Sequence, residues 1–434
     1  MTAREAALNA LIACRRQGAW SDGALKEEIA KGRLSTADAA LATRLCYGVL
    51  QNRMLLDFYI ESFLTTARSR LQPQTEDILR LGVYQLTMMD RIPASAAVNE
   101  SVNLAKKYVN AGAAGLVNGL LRAVTRAPKL PEPPSDAVRY SHPQALVDLL
   151  AGELPPEELP AFLAMDNESL PTCVQVNPLR MAAEELQPAL EALGASVQPH
   201  PWLKGCCYLS GAGSVEQLSL FREGKIFVQD AAAHLAALSA GVEPGMRVLD
   251  CCAAPGGKSF AAAMQMEDQG SIISCDLHPH KIRLIEAGAE RLGLQSIRAQ
   301  VQDASKVCEA WAGAFDCVIA DVPCSGLGVI RKKPDIRYKD VASLAWLPEV
   351  QMKILCAQAE HVRPGGVLLY STCTVLRREN EEIIRAFLES RKDFHLERFL
   401  VPEELGGTSD GMLTLWPQRH GTDGFFICRM RKDT

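Results

Sequence analysis

The stretch M-R-V-L-D-C-C-A-A-P-G-G-K-S, residues 246–259, opens with an apolar pair, Val248-Leu249, that ends on an acid, Asp250. Two cysteines, two alanines, Pro255, two glycines and Lys258 follow, then an apolar helical run from Phe260. This is the pattern of a buried parallel strand, a tight loop and a helix whose free N–H groups face a ligand. Glycine lets the loop backbone approach that ligand as a larger residue would not. Downstream the alternation continues, with strands expected at Arg247–Asp250, Ser271–Asp276, Ile297–Gln302, Phe315–Asp321 and Val367–Ser371. Helices are expected at Lys281–Leu292 and Leu344–His361, and a turn at Val362–Gly366. Such alternation predicts a Rossmann-like, doubly wound and mostly parallel sheet over residues 236–434, with ligands at the carboxyl ends of its strands. Apolar runs at Met412–Trp416 and Phe425–Met430 would add antiparallel strands at one edge.

A chain of 434 residues is long enough for two or three domains, and the upstream sequence divides accordingly. Residues 1–126 show apolar spacing of helical period and no strand, with breaks at Gly32, Pro73 and Pro93, so an all-helical domain of five or more helices is expected. Residues 127–137 hold Pro128, Pro131, Pro133 and Pro134 and read as a semi-rigid linker. Residues 138–235 read as a small mixed α/β unit, with strands at Cys173–Asn177, Cys207–Leu209 and Lys225–Gln229. The whole is therefore an α plus α/β multidomain chain.

Composition narrows the function classes. No apolar run approaches the ~20 residues that span a bilayer, and the start of the chain, with Leu8, Leu11 and Ile12 on one face, reads as an amphipathic helix rather than a cleaved leader. The 14 cysteines show no C-x-x-C pair, which argues against a disulfide scaffold or structural zinc and for a reducing cytoplasm. Residues 1–130 carry 17 Lys and Arg against 11 Asp and Glu, a net of +6 that leaves −11 on the rest of a chain whose total is −5. A basic front of this kind suits a phosphate-bearing partner as well as it suits a merely solvated helical surface.

Three ligands compete for the loop at 252–258. A Walker loop requires glycine five positions before Gly257, where Cys252 stands, and the dinucleotide fingerprint G-x-G-x-x-G is absent. S-adenosylmethionine has no phosphate and suits a looser loop with acids at other strand ends. Asp276 ends the second strand, where a carboxylate can accept ribose hydroxyls, and Asp303 ends the third, towards an adenine; the plainer role for each is to cap the next helix. D-V-P-C-S-G (Asp321–Gly326) closes the fourth strand and Y-S-T-C-T (Tyr370–Thr374) the fifth. If those strands are neighbours, ~4.8 Å apart, Cys324 and Cys373 open into the same crevice. The spacing leaves open which thiol attacks. A thiol hydrolase would need a histidine partner, and neither motif supplies one.

C-A-A-P-G-G-K, D-V-P-C-S-G and S-T-C-T, in this order, resemble the RNA cytosine-C5 methyltransferases of the Sun/NOL1/NOP2 family, and the segment Ala97–Arg122 resembles the NusB-like RNA-binding fold. With K-P-D-I-R-Y (Lys333–Tyr338), the resemblance extends over all the domains to the bacterial 16S rRNA members of that family. It implies S-adenosylmethionine held by Cys252, Ala253, Ala254, Pro255, Gly256, Gly257, Lys258, Asp276, Asp303 and Asp321, with Cys373 as nucleophile and Cys324 assisting release. Thr374 stands where many members carry serine. The implied partner is RNA, 16S rRNA, met by a cytoplasmic monomer with no metal and no membrane. Arg331, Lys332, Lys333, Arg337 and Lys339, just after the Cys324 loop, are then expected to meet RNA phosphate. A tRNA cytosine-C5 methyltransferase would carry the same chemistry. A non-catalytic RNA-binding assembly factor is the reading from another class, and it has no need of the two thiols.

Overall fold

The computed structural model describes residues 1–17, 20–65, 67–168, 171–211 and 213–434. The chain divides into two compact units, Met1–Glu168 together with Ile330–Lys339, and Ser169–Val329 together with Asp340–Thr434.

The first unit is helical. Its long helices are Ala3–Gln17, Ser21–Gly32, Thr36–Gln51, Arg53–Phe63, Pro73–Met88, Ala94–Tyr108 and Ala111–Arg126, with shorter ones at Asp136–Arg139, Gln144–Ala151 and Leu159–Met165. The breaks read from sequence sit at helix ends: Gly32 closes one helix, Pro73 opens another where its missing N–H is not needed, and Pro93 precedes a third. Leu8, Leu45, Leu56, Ile60, Ile78, Leu81, Val117 and Leu121 form one continuous core. Residues 330–339 belong to this unit and correct the expected basic RNA-binding run. Arg331 and Arg337 are buried, and only Lys332, Lys333 and Lys339 of the run are exposed. The Arg337 guanidinium donates to the carbonyls of Gln51 (2.6 Å) and Asp166 (3.0 Å) and to Asn167 Oδ1 (2.8 Å). Tyr338 donates its hydroxyl to the Leu50 carbonyl (2.8 Å) and lies under Arg53. Leu50 and Gln51 end the helix Thr36–Gln51, so these side chains satisfy carbonyls that have no partner within their own helix.

The second unit holds two principal sheets. The smaller is antiparallel, with strands β1 (Thr172–Val176), β2 (Ser196–Pro199), β3 (Cys206–Ser210) and β4 (Ile226–Val228) in the order β2-β3-β1-β4. The edge strand β2 is not apparent from sequence because its residues are mostly exposed and show no apolar alternation. The larger contains β5 (Arg247–Asp250), β6 (Ser271–Asp276), β7 (Ile297–Val301), β8 (Phe315–Asp321), β9 (Val362–Thr372) and β10 (Phe394–Leu396). A two-stranded pair, β11 (Phe399–Leu400) and β12 (Thr408–Ser409), precedes β13 (Met412–Leu415) and β14 (Phe425–Lys432). The order is β7-β6-β5-β8-β9-β14-β10, with β13 also on β14; β5 to β9 are parallel and β14 is antiparallel to β9. The period-two alternation of these strands sorts their side chains onto two faces. Cys317, Ile319, Val367 and Leu369 enter one core, and Val318, Ala320, Leu368 and Tyr370 the other. Burial on both faces accounts for the unbroken apolar runs.

The expected turn at Val362–Gly366 is instead the start of β9. Val362 already pairs with Phe315, residues 363–366 bulge out, and pairing resumes between Cys317 and Val367. Gly365, at φ +71°, supplies the left-handed conformation the bulge needs.

Candidate active site

The strand order reverses at β5, whose neighbours are β6 on one side and β8 on the other, and the carboxyl ends of strands flanking such a reversal form a ligand crevice. The loop after β5 is pinned at both sides: the Cys251 N–H donates to the Ile319 carbonyl on β8, and the Ala253 N–H to the Cys275 carbonyl on β6 (2.7 Å). Gly256 sits at φ +112°, and a Cβ there would lie 2.3 Å from the Phe260 ring, so no other residue closes the turn into the helix Gly257–Gln265. Beneath it Asp250 is fully buried, accepting from the Ser259 hydroxyl (2.7 Å), which in turn accepts from the Ser274 hydroxyl (2.7 Å). Burial lifts the Asp250 carboxyl to about 7.

Lys258, the sole cation of residues 252–258, is neutralised by Asp321, with Nζ 2.7 Å from Oδ2. The other Asp321 oxygen accepts from the Ser371 hydroxyl (2.8 Å), which ties the loops after β5 and β8 to β9. Asp276 ends β6 with little exposure; Oδ1 accepts from the His278 N–H (3.1 Å) and Oδ2 lies 3.3 Å from Lys281 Nζ. Asp303, two residues past β7, accepts from the Ser305 N–H and hydroxyl, and these bonds hold its carboxyl below the usual range. Both acids thus serve as local caps at or just past the ends of their strands. A bare glycine loop, a lysine already neutralised and carboxylates at successive strand ends form a donor set suited to a ribose and a positive centre rather than to phosphates.

The two thiols come together. β8 and β9 are hydrogen-bonded neighbours in which Asp321 pairs with Ser371, so Cys324 and Cys373 lie just beyond adjacent strand ends, Sγ to Sγ 3.2 Å. Contact with the Cys373 sulfur, then burial, then nearby Asp321 and Glu379 push the Cys324 thiol well above the ordinary range. Ser325 and Thr374, each the residue after a cysteine, share a hydroxyl–hydroxyl bond of 2.7 Å. Under Cys373 the chain closes tightly. The Gly328 N–H donates to the Cys373 carbonyl (3.0 Å), and a Cβ on Gly328 would stand 1.9 Å from the Gly424 carbonyl. The sequence reading missed Gln351, Glu379 and Asn380, which contact the backbone on either side of the cysteines; the only sequence signal was a polar R-R-E-N-E run in an otherwise apolar region. Among the described residues no group of three or more His, Cys, Asp or Glu side chains could hold a metal ion, and no helix is long and apolar enough to cross a membrane.

Comparison with known proteins matches the 16S rRNA methyltransferase RsmB/F family over residues 238–431, the NusB family over residues 1–126, and the ferredoxin-like domain of RsmF/B-like methyltransferases over residues 142–216. The probable ribosomal RNA small subunit methyltransferase B of Bacillus subtilis (strain 168) is 37% identical over 442 residues, 99% of this chain and 98% of its own. Ribosomal RNA small subunit methyltransferase B of Vibrio cholerae serotype O1 is 34% identical over 406 residues, 91% of each chain. The crystal structure of PH0851 superimposes with a TM-score of 0.80 at 26% identity, covering 98% of each chain. Full-length identity at this level, on the site just described, means that the chain belongs to the 16S rRNA methyltransferase RsmB/F family, S-adenosylmethionine-dependent enzymes that methylate C5 of cytosine in ribosomal RNA.

Proposed function

We propose that this chain methylates C5 of a specific cytidine in 16S rRNA through a covalent bond between Cys373 and C6 of the base. The observation that carries this reading is the pair of thiols 3.2 Å apart at neighbouring strand ends. When bound, S-adenosylmethionine supplies a methyl group on a positively charged sulfur. Cytosine C5 is a poor nucleophile until a thiolate adds to C6 and makes C5 enamine-like. Cys373 makes that addition, Asp321 accepts a hydrogen bond from the N4 amino group and so holds the base in place, and Cys324 assists loss of the C5 proton and expulsion of the Cys373 thiolate. Cys252–Lys258, Asp276, Asp303 and Asp321 hold the cofactor. The base must stand outside any stack to reach this crevice. We assign RNA delivery to residues 1–126, a connecting role to 127–137 and 138–235, and chemistry to 236–434, in a cytoplasmic monomer.

The test is a denaturing gel of protein with labelled 16S rRNA and cofactor. Cys373→Ser abolishes transfer and leaves no adduct, because a hydroxyl is far from ionised where a thiolate is needed. Cys324→Ala adds to the base but releases it poorly and runs as a shifted protein–RNA band. The opposite pattern would exchange the two roles. Bisulfite sequencing of RNA from a strain lacking the protein places the lost methyl in 16S rRNA; loss from tRNA instead would overturn the substrate.

A further inference from the structure

Both cysteines are gripped from behind by two consecutive residues. The backbone groups flanking Cys324 are the Pro323 carbonyl and the Ser325 N–H. Glu379 Oε2 accepts from Ser325 N–H (2.9 Å) and from Gln351 Nε2 (2.9 Å), and the same Gln351 amide donates to the Pro323 carbonyl (3.0 Å). The groups flanking Cys373 belong to Thr372 and Thr374. Asn380 Oδ1 accepts from the Thr372 hydroxyl (2.6 Å), and Asn380 Nδ2 donates to the Thr374 carbonyl (3.0 Å). Tyr370, on β9 itself, donates its hydroxyl to the Glu379 carbonyl (2.6 Å), fixing the dipeptide to the strand it serves. Glu379, Asn380, Gln351, Thr372 and Thr374 are all fully buried. A carboxylate is costly to bury and is kept only where donors repay it.

We propose that Glu379 and Asn380 are positioning residues that together set the separation of the Cys324 and Cys373 sulfurs. Asn380 holds the Cys373 side and Glu379 the Cys324 side, so one turn of chain fixes a distance between two loops. The clamp rests on the reading of the two cysteines as the working pair.

The thiol test uses the full chain without RNA, closing the pair with diamide, which forms one S–S bond and takes up both thiol hydrogens, and counting the thiols left open by alkylation and mass spectrometry; kcat is read separately with RNA. Glu379→Gln keeps an acceptor for Ser325 N–H and for Gln351, so its pair should close at near the wild-type rate. Glu379→Ala removes that acceptor and should slow closure. Asn380→Ala should slow diamide closure and lower kcat by about ten- to hundredfold, the range for loss of a strong buried hydrogen bond, with KM for S-adenosylmethionine unchanged. Asn380→Asp, which still accepts from Thr372 but cannot donate to Thr374, should fall between; it carries the test if the alanine variant lacks a cooperative melt. Unchanged closure in Glu379→Ala, or unchanged closure and kcat in the Asn380 variants, would overturn the clamp. A wild-type protein that methylates no RNA would overturn the proposed function instead, and the thiol measurements would still decide the clamp.

Discussion

At the scale of single residues, burial has set one acid apart. Asp250 holds its proton to about 7 in the fold against an ordinary 3.8. The folded state therefore binds more protons than the unfolded chain between those values, so this group's contribution to stability is present below the lower one and is lost as pH rises through the upper. Asp250→Asn, which can still accept from Ser259, should melt close to the wild type at pH 5 and above it at pH 8. An identical difference at both values would remove Asp250 as the source of the pH dependence. Asp276, at the end of β6, lies 3.3 Å from Lys281 Nζ. Asp276→Ala should weaken S-adenosylmethionine binding by ~1.5–3 kcal/mol, the range for a charged hydrogen bond, as measured by calorimetry. Unchanged affinity would remove it from the cofactor site.

At the scale of elements, the readable parts are those whose signal is local. Strands β5, β6, β8 and β9 announce themselves by apolar runs, and the loops after them by glycine, proline and cysteine in fixed order. What stayed hidden depends on partners distant in sequence. Arg337 reads as a surface cation, but its acceptor at Gln51 lies 286 positions away. Glu379 and Asn380 look like a helix start until the Cys324 loop folds against them. β2 and the bulge in β9 lack any apolar pattern to mark them. The segment 330–339 is therefore best tested residue by residue. Arg337→Ala strips the donor from several buried carbonyls and should destabilise the first unit by ~3 kcal/mol or more, at ~1–3 kcal/mol for each acceptor left bare. A melt within 1 °C of the wild type would contradict the cap. Lys333, which is exposed, is the better candidate for phosphate contact. Lys333→Ala should lower the slope of log affinity against log salt by ~0.7–0.9, and an unchanged slope would place it off the RNA.

At the scale of the whole molecule, the two units are interleaved along the chain rather than joined end to end. The chain leaves the second unit after Val329, contributes ten residues to the first, and resumes the second at Asp340. Removing residues 1–126 would take away Leu50 and Gln51, and with them acceptors for Tyr338 and Arg337, so such a truncation should lose methyl transfer even at saturating RNA rather than merely need more of it. Full activity restored by excess RNA would show instead that the helical front serves affinity alone. The same interleaving bears on how the protein is made. A leading domain usually completes itself as it emerges from the ribosome, whereas here the helix Thr36–Gln51 waits for its cap until residue 339 has been added. At ~5–20 residues per second, the 171 residues from Glu168 to Lys339 impose a delay of about 9 to 34 seconds in which the newborn front stands with its Leu50 and Gln51 carbonyls open to water.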